Sequence, residues 1–135
     1  MPDRETIEKA QRDLKEGKSP TTAAGEFVHE EIEHVRRGKH GARSPQQAIA
    51  IGLSEARRAG IPLRPPAKGK SRTVTRKKAE RDYARGQTSP GHAEEGSSPR
   101  GRSRMKALKK EPQNTVSHSA LSSQAKGAAK RRKSA

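Results

Sequence analysis

The residues best equipped for chemistry lie in the run His29-Glu30-Glu31-Ile32-Glu33-His34. Imidazoles among carboxylates are the donor set of a zinc-dependent hydrolase, provided the two histidines share a helix face. That takes a spacing of four residues, about 400° of helical rotation. Here the spacing is five, about 500°, so the rings diverge by roughly 140°. His29 can share a face with Glu33, and Glu30 with His34, but the run reads as a solvated polar helix face and no metal is assigned to it. Lys68-Gly69-Lys70-Ser71 ends like a phosphate-binding loop, yet position 64, where the first glycine of that loop belongs, is Arg64, and no apolar strand precedes it. There is no Gly-x-Ser-x-Gly turn and no cysteine, and the five histidines and scattered acids form no convergent acid–base set. No catalytic or cofactor-binding residue is assigned, and an enzyme is not expected.

Positive charge is the stronger signal. Residues 1–66 hold 12 basic and 10 acidic side chains; residues 67–135 hold 19 and 5. Arg76, Lys77 and Lys78 form one cluster, Arg100, Arg102, Arg104, Lys106, Lys109 and Lys110 a second, and Lys126, Lys130, Arg131, Arg132 and Lys133 a third. Self-repulsion at this density costs stability until a polyanion relieves it, so these residues are assigned to nucleic-acid binding. Phe27 and Tyr83 are the only aromatic residues, too few for the stacking platforms that read single strands. Phosphate contact with duplex DNA is the expected mode. RNA or ribosome association is the alternative, and a protein-interaction adaptor with a basic localising tail is the third reading.

Two stretches of the tail resemble known nucleic-acid binders. Ser98-Pro99-Arg100-Gly101-Arg102-Ser103 resembles the AT-hook core. The likeness implies an extended segment along an A·T-rich minor groove, with Gly101 near the floor and the arginines following its negative potential. Ser103 stands where that family has proline, so the extended exit is not enforced. The Lys-, Ala- and Ser-rich C-terminus looks like a linker-histone-type tail.

Leu, Ile, Val and Phe make up 15 of 135 residues, about 11%, well under the roughly 20% at which a highly charged chain builds a full core. A core is therefore confined to part of the chain. No run approaches the ~18 apolar residues of a membrane span, and the first residues, Met-Pro-Asp-Arg-Glu, show no apolar signal segment. The expected location is the cytoplasm, on the nucleoid.

The elements that position these charges follow from caps and periodicity. Residues 3–16 form a polar helix with Ile7, Ala10 and Leu14 on one face and Gly17 as its stop. A second helix begins near Thr22, its expected N-cap, and stops at Gly38. Ala24, Phe27, Val28, Ile32 and Val35 trace its apolar stripe, and Glu26, Glu30, Glu31 and Glu33 its acidic face. The third has the clearest ends: Ser44-Pro45-Gln46-Gln47 is a capping box with proline at the first helical position, and Gly60-Ile61-Pro62 closes it. Small Ala and Gly52 on this helix permit close approach of a neighbour. Arg58 is expected to cap the third helix rather than bind phosphate, while Arg57, with Lys39, His40 and Arg43 of the intervening turn, is open to either role. Further on, short helices are expected over residues 75–85, with Gly86 as stop, over 103–110, and after Ser117. The expected fold is mainly α: a polar helix in residues 1–21, a helical hairpin in 22–63, and a largely disordered basic tail in 64–135 with transient helices. The thin apolar inventory makes a homodimer through the hairpin an expectation.

The core run Gln47-Ala48-Ile49-Ala50-Ile51-Gly52-Leu53-Ser54-Glu55-Ala56-Arg57-Arg58-Ala59-Gly60, with Gly25-Glu26-Phe27-Val28 before it, resembles a family of small, basic bacterial proteins. Its signature is Ser-x-x-Gln-Ala-Ile-Ala-Ile-x-Leu-Ser-Glu-Ala-Arg-x-Ala-Gly, and the likeness spans about residues 22–63. It implies a bacterial source, a helical head and association with DNA, and it brings no catalytic residues.

Overall fold

The computed structural model describes residues 3–88 and 99–134. Among them the fold is mainly α and contains no strand, with six helices: α1 (Arg4–Lys15), α2 (Pro20–Arg36), α3 (Pro45–Arg58), α4 (Thr73–Thr88), α5 (Pro99–Lys109) and α6 (His118–Ser134). None of these helices is long and apolar enough to cross a membrane.

Local chemistry sets the first three helices. Each begins beside an extended residue, and α2 and α3 share one device: a serine whose hydroxyl accepts a backbone N–H, followed by proline in the first turn. Ser44 Oγ accepts from Gln47 N at 3.2 Å, and Ser19 Oγ from Thr22 N at the same distance. Thr22 is therefore inside α2 and Ser19 is its cap, since the Ser-Pro pair is repeated here. Gln47 completes its box one residue early, its Oε1 accepting from Arg43 N instead of the cap's own amide. At the other end of α3, Gly60 adopts φ +97° and the amides of Gly60 and Ile61 bond to the carbonyls of Arg57 and Ala56. This is the Schellman pattern, and α1 and α2 end the same way at Gly17 and Gly38.

The head is three helices with α2 packed between α1 and α3. Ala10, Ala23, Ala24, Phe27, Ala56, Ala59 and Ile61 form the main core, with Ile7, Leu14, Leu53 and Leu63 around it. Burying a ring such as that of Phe27 contributes about 1.5–3 kcal/mol. Gly52 lets α3 lie directly on α2, where an added Cβ would come within 2.6 Å of Val28 Cα.

Part of the region expected to be a tail packs on this head. α4 lies against α3 and runs two residues past Gly86, which is a contact point and no stop. A Cβ there would collide with the carbonyl of Arg57. Ser54 Oγ donates to Asp82 at 2.6 Å, and Gln87 donates to the carbonyl of Gly60 at 3.3 Å. From the last turn of α5 onward, residues 108–116 dock on the turn between α2 and α3. The amides of Gly41 and Ala42 donate to the carbonyls of Leu108 and Pro112, each at 2.8 Å. Arg36 holds the carbonyl of Val116 at 3.1 Å, and Val116 joins Val35, Ala42 and Ala48 in a second small core. Ser117 caps α6 through Ala120 N. The helices of residues 64–135 are thus supported in part by tertiary contacts, which local composition does not announce. The Ser89 to Ser98 portion of the expected tail lies outside the described residues.

Candidate functional site: a basic face and a buried polar cluster

The cationic residues are distributed over three helices. Arg76, Lys77 and Lys78 lie on α4, Arg100, Arg102, Arg104, Lys106 and Lys109 on α5 with Lys110 just after it, and Lys126, Lys130, Arg131, Arg132 and Lys133 on α6. Twelve of these fourteen are exposed; Arg76 and Arg104 are half-buried. Lys78 and Arg104 come close enough to affect one another: partial burial, then the Arg104 guanidinium, lowers the Lys78 ammonium below its ordinary value. Arg76 also faces Glu80 at 3.4 Å, one turn along α4.

The hook reading does not match the geometry. Pro99 to Arg102 form the first turn of α5, where residues two apart point about 200° from each other, so Arg100 and Arg102 do not flank a flat Gly101 as a groove-lying segment requires. Arg57 and His40 also leave the set of phosphate contacts. Arg57 is buried and clips the chain after α3, donating to the carbonyls of Leu63 at 3.1 Å and Arg64 at 3.3 Å. Burial lowers its guanidinium below the ordinary arginine value. Arg58 stays at the α3 end as expected, with Nε 3.4 Å from the Ser54 carbonyl and 3.9 Å from Asp82.

The residues that spacing alone misplaced are Glu30, Glu31 and His34. They are buried, not solvated. His29 remains exposed, so the two histidines of the run do diverge as their spacing requires. His34 instead meets His40 from the following turn, with ring centroids 6.0 Å apart and planes at 78°. Glu31 lies between them, its Oε1 3.3 Å from His34 Nδ1 and its Oε2 3.1 Å from His40 Nε2. Glu55 of α3 is buried beside them, its carboxyl against that of Glu31. Glu30, one residue earlier, serves another purpose: its carboxylate accepts the Asp3 amide at 2.9 Å and the Thr6 hydroxyl, capping α1 from a neighbouring helix.

Burial and proximity divide the protons of this group. Burial pushes the Glu31 carboxyl up, but the His34 and His40 rings and the Glu55 carboxyl outweigh it and hold Glu31 well below the usual carboxylate range. Burial, then the charge of Glu31, pushes Glu55 up to about 9, so it is a neutral acid at pH 7. The Glu31 carboxylate raises His40 above the ordinary imidazole value, against its burial. Glu31-x-x-His34 is a one-face spacing on a helix, and Glu55 is the one acid inside the apolar run of α3. Those two signals were present in the sequence; the arrival of His40 from a turn was not. The chain matches no family model, no curated protein and no solved structure.

Proposed function

We propose that the protein binds duplex DNA with little sequence preference, neutralising phosphates through the cations of α4, α5 and α6. The observation that carries this reading is that twelve of the fourteen cations assigned to nucleic-acid binding are exposed, in a half of the chain with 19 basic and 5 acidic residues. Counterion release from the DNA supplies the free energy of such binding. The helical head holds the second half of α4 and the residues just before α6, and so gives the charge a shape. A nucleoid-associated or architectural role follows from binding of this kind. The adaptor reading loses part of its basis, because Glu30 and Glu31 of the acidic helix face are turned inward.

The test is a salt titration of binding to a random-sequence duplex, with structured RNA as competitor. The full chain is compared with one ended after residue 122, which keeps Val116 and Leu121 but removes the five cations of α6. The expected result is a steep fall of log K with log salt, flattened by about 0.9 for each phosphate that the truncated chain no longer neutralises. A shallow slope that truncation leaves unchanged rejects the reading. Preferential retention on RNA at equal salt moves it to RNA.

A further inference from the structure

We infer that Glu31, His34 and His40 form a structural binding site for one divalent first-row metal ion of the zinc class, joining α2 to the turn that follows it. Two imidazoles and a carboxylate are ligand types that zinc accepts. They come from two segments: Glu31 and His34 one turn apart on α2, His40 from the turn. One candidate ligand atom from each lies within 4.8 Å of the other two, and all three residues are at most 7% exposed.

The spacing fits a metal. Ligand atoms about 2.0–2.1 Å from a tetrahedral zinc stand about 3.3–3.4 Å from one another. The Glu31 oxygens lie 3.3 Å from His34 Nδ1 and 3.1 Å from His40 Nε2. Those two ring nitrogens are also the ones their surroundings leave for coordination. His40 Nδ1 is 2.8 Å from the Gly41 carbonyl, which can only accept, so Nδ1 carries a proton and Nε2, on the Glu31 side, is the nitrogen left for a metal. The remaining nitrogen of His34, Nε2, faces Glu30 at 3.7 Å. Both rings thus have the outer partner, a carbonyl or a carboxylate, that orients metal-bound histidines.

A second observation is independent of the spacing. Glu31 Oε2 is fully buried without a hydrogen-bond partner, as is Glu55 Oε2 of α3. A buried carboxylate in that condition costs free energy unless a cation faces it. A divalent ion at the centre neutralises Glu31 and takes one ring nitrogen each from His34 and His40. Asp3, Glu30 and His34 form a second grouping, but Glu30 already holds the start of α1, which makes it the outer partner of His34 and leaves the inner set as the site.

The experiment uses the full chain, stripped with a chelator and titrated with zinc and with cobalt. The expected results are uptake of one ion per chain, a melting temperature that rises with zinc, and visible cobalt absorption of a four-coordinate site. His34→Gln and His40→Gln should each lose at least tenfold in affinity, while His29→Gln, on the exposed face of the same helix, should lose none. Absence of stoichiometric uptake by the folded, stripped chain overturns the inference, as does equal weakening by His29→Gln and His40→Gln. Should either ligand variant fail to fold, imidazole nitrogen shifts of the unaltered chain decide: zinc must move the His34 and His40 rings, and unmoved shifts overturn the site.

Discussion

The two halves of this molecule hold their charge in opposite ways. In the head, cations are paired close to home: Arg4 with Glu8 at 3.4 Å, Lys9 with Glu5 at 3.3 Å, Lys18 with Asp13 at 3.3 Å, Arg36 with Glu33 at 3.5 Å. Even Arg57 is spent on carbonyls. In α5 and α6 the basic residues outnumber local acids so far that intramolecular pairing cannot balance them; from residue 100 on, Glu111 is the single acid against 11 basic residues. Formal charge alone does not identify a binding surface. What matters is whether the chain supplies enough counter-charge of its own, and residues 100–135, with one acid for 11 basic residues, do not.

The largest effect should come from removing that imbalance. Replacing Lys106, Lys109, Lys110, Lys126, Arg132 and Lys133 by Gln should reduce the salt slope of DNA binding by up to about 5 and leave the melting temperature nearly unchanged. The same number of Gln replacements among the paired head cations should leave the slope alone. If both sets act equally on the slope, the contrast between the halves is wrong.

Next in size is the core. Phe27→Ala removes a ring with no exposed surface and should lower stability by about 3–5 kcal/mol in urea unfolding, with DNA affinity per folded molecule maintained. Arg57→Ala should cost about 2 kcal/mol, since it breaks two charged hydrogen bonds, to the carbonyls of half-buried Leu63 and exposed Arg64, and should not change the salt slope. A slope change with Arg57→Ala would return that residue to the phosphate-binding set.

The smallest effect concerns pH, in the chelator-stripped protein. Glu55 keeps its proton in the fold up to about 9, while an unfolded glutamate loses it near 4.5, so folding stability falls as pH rises between those values. His40 acts in the same direction, its contribution being complete below 6.5 and lost above its raised value. Glu31 acts oppositely: its contribution is present above 4.5 and lost as pH falls. With Glu30 and His34 packed against the same group, the stripped chain should be most stable near pH 4.5 and lose stability as pH rises toward 9 or falls further. Urea midpoints at pH 4, 5.5 and 8 measure this, and a flat profile would show that the cluster does not form in solution.

The parts of the fold written in short-range chemistry were legible in the sequence. Ser44-Pro45, Gly17, Gly38 and Gly60 place helix ends within a residue or two, because a cap needs only its own neighbours. Ser19-Pro20 carries the same signature as Ser44-Pro45, three residues ahead of Thr22. What was not legible depends on distant partners. Glu30 and Glu31 read as solvent-facing because an isolated helix offers carboxylates nothing better; α1 and His40 supply the reason for their burial. Gly86 read as a stop, since nothing local reveals that the backbone of α3 presses on it. The candidate site divides the same way. The basic face is visible in composition, whereas the buried cluster exists only once three segments meet.

The mooring of residues 108–112 to the head has a consequence for how this chain tolerates change over generations. It is made by peptide groups, with Gly41 and Ala42 reaching the carbonyls of Leu108 and Pro112. Side-chain identity at Lys109, Lys110 and Glu111 is irrelevant to those two bonds. The basic half can therefore drift through many spellings while remaining attached, and the constraint falls on Gly41, where any larger residue would strike the Glu111 carbonyl.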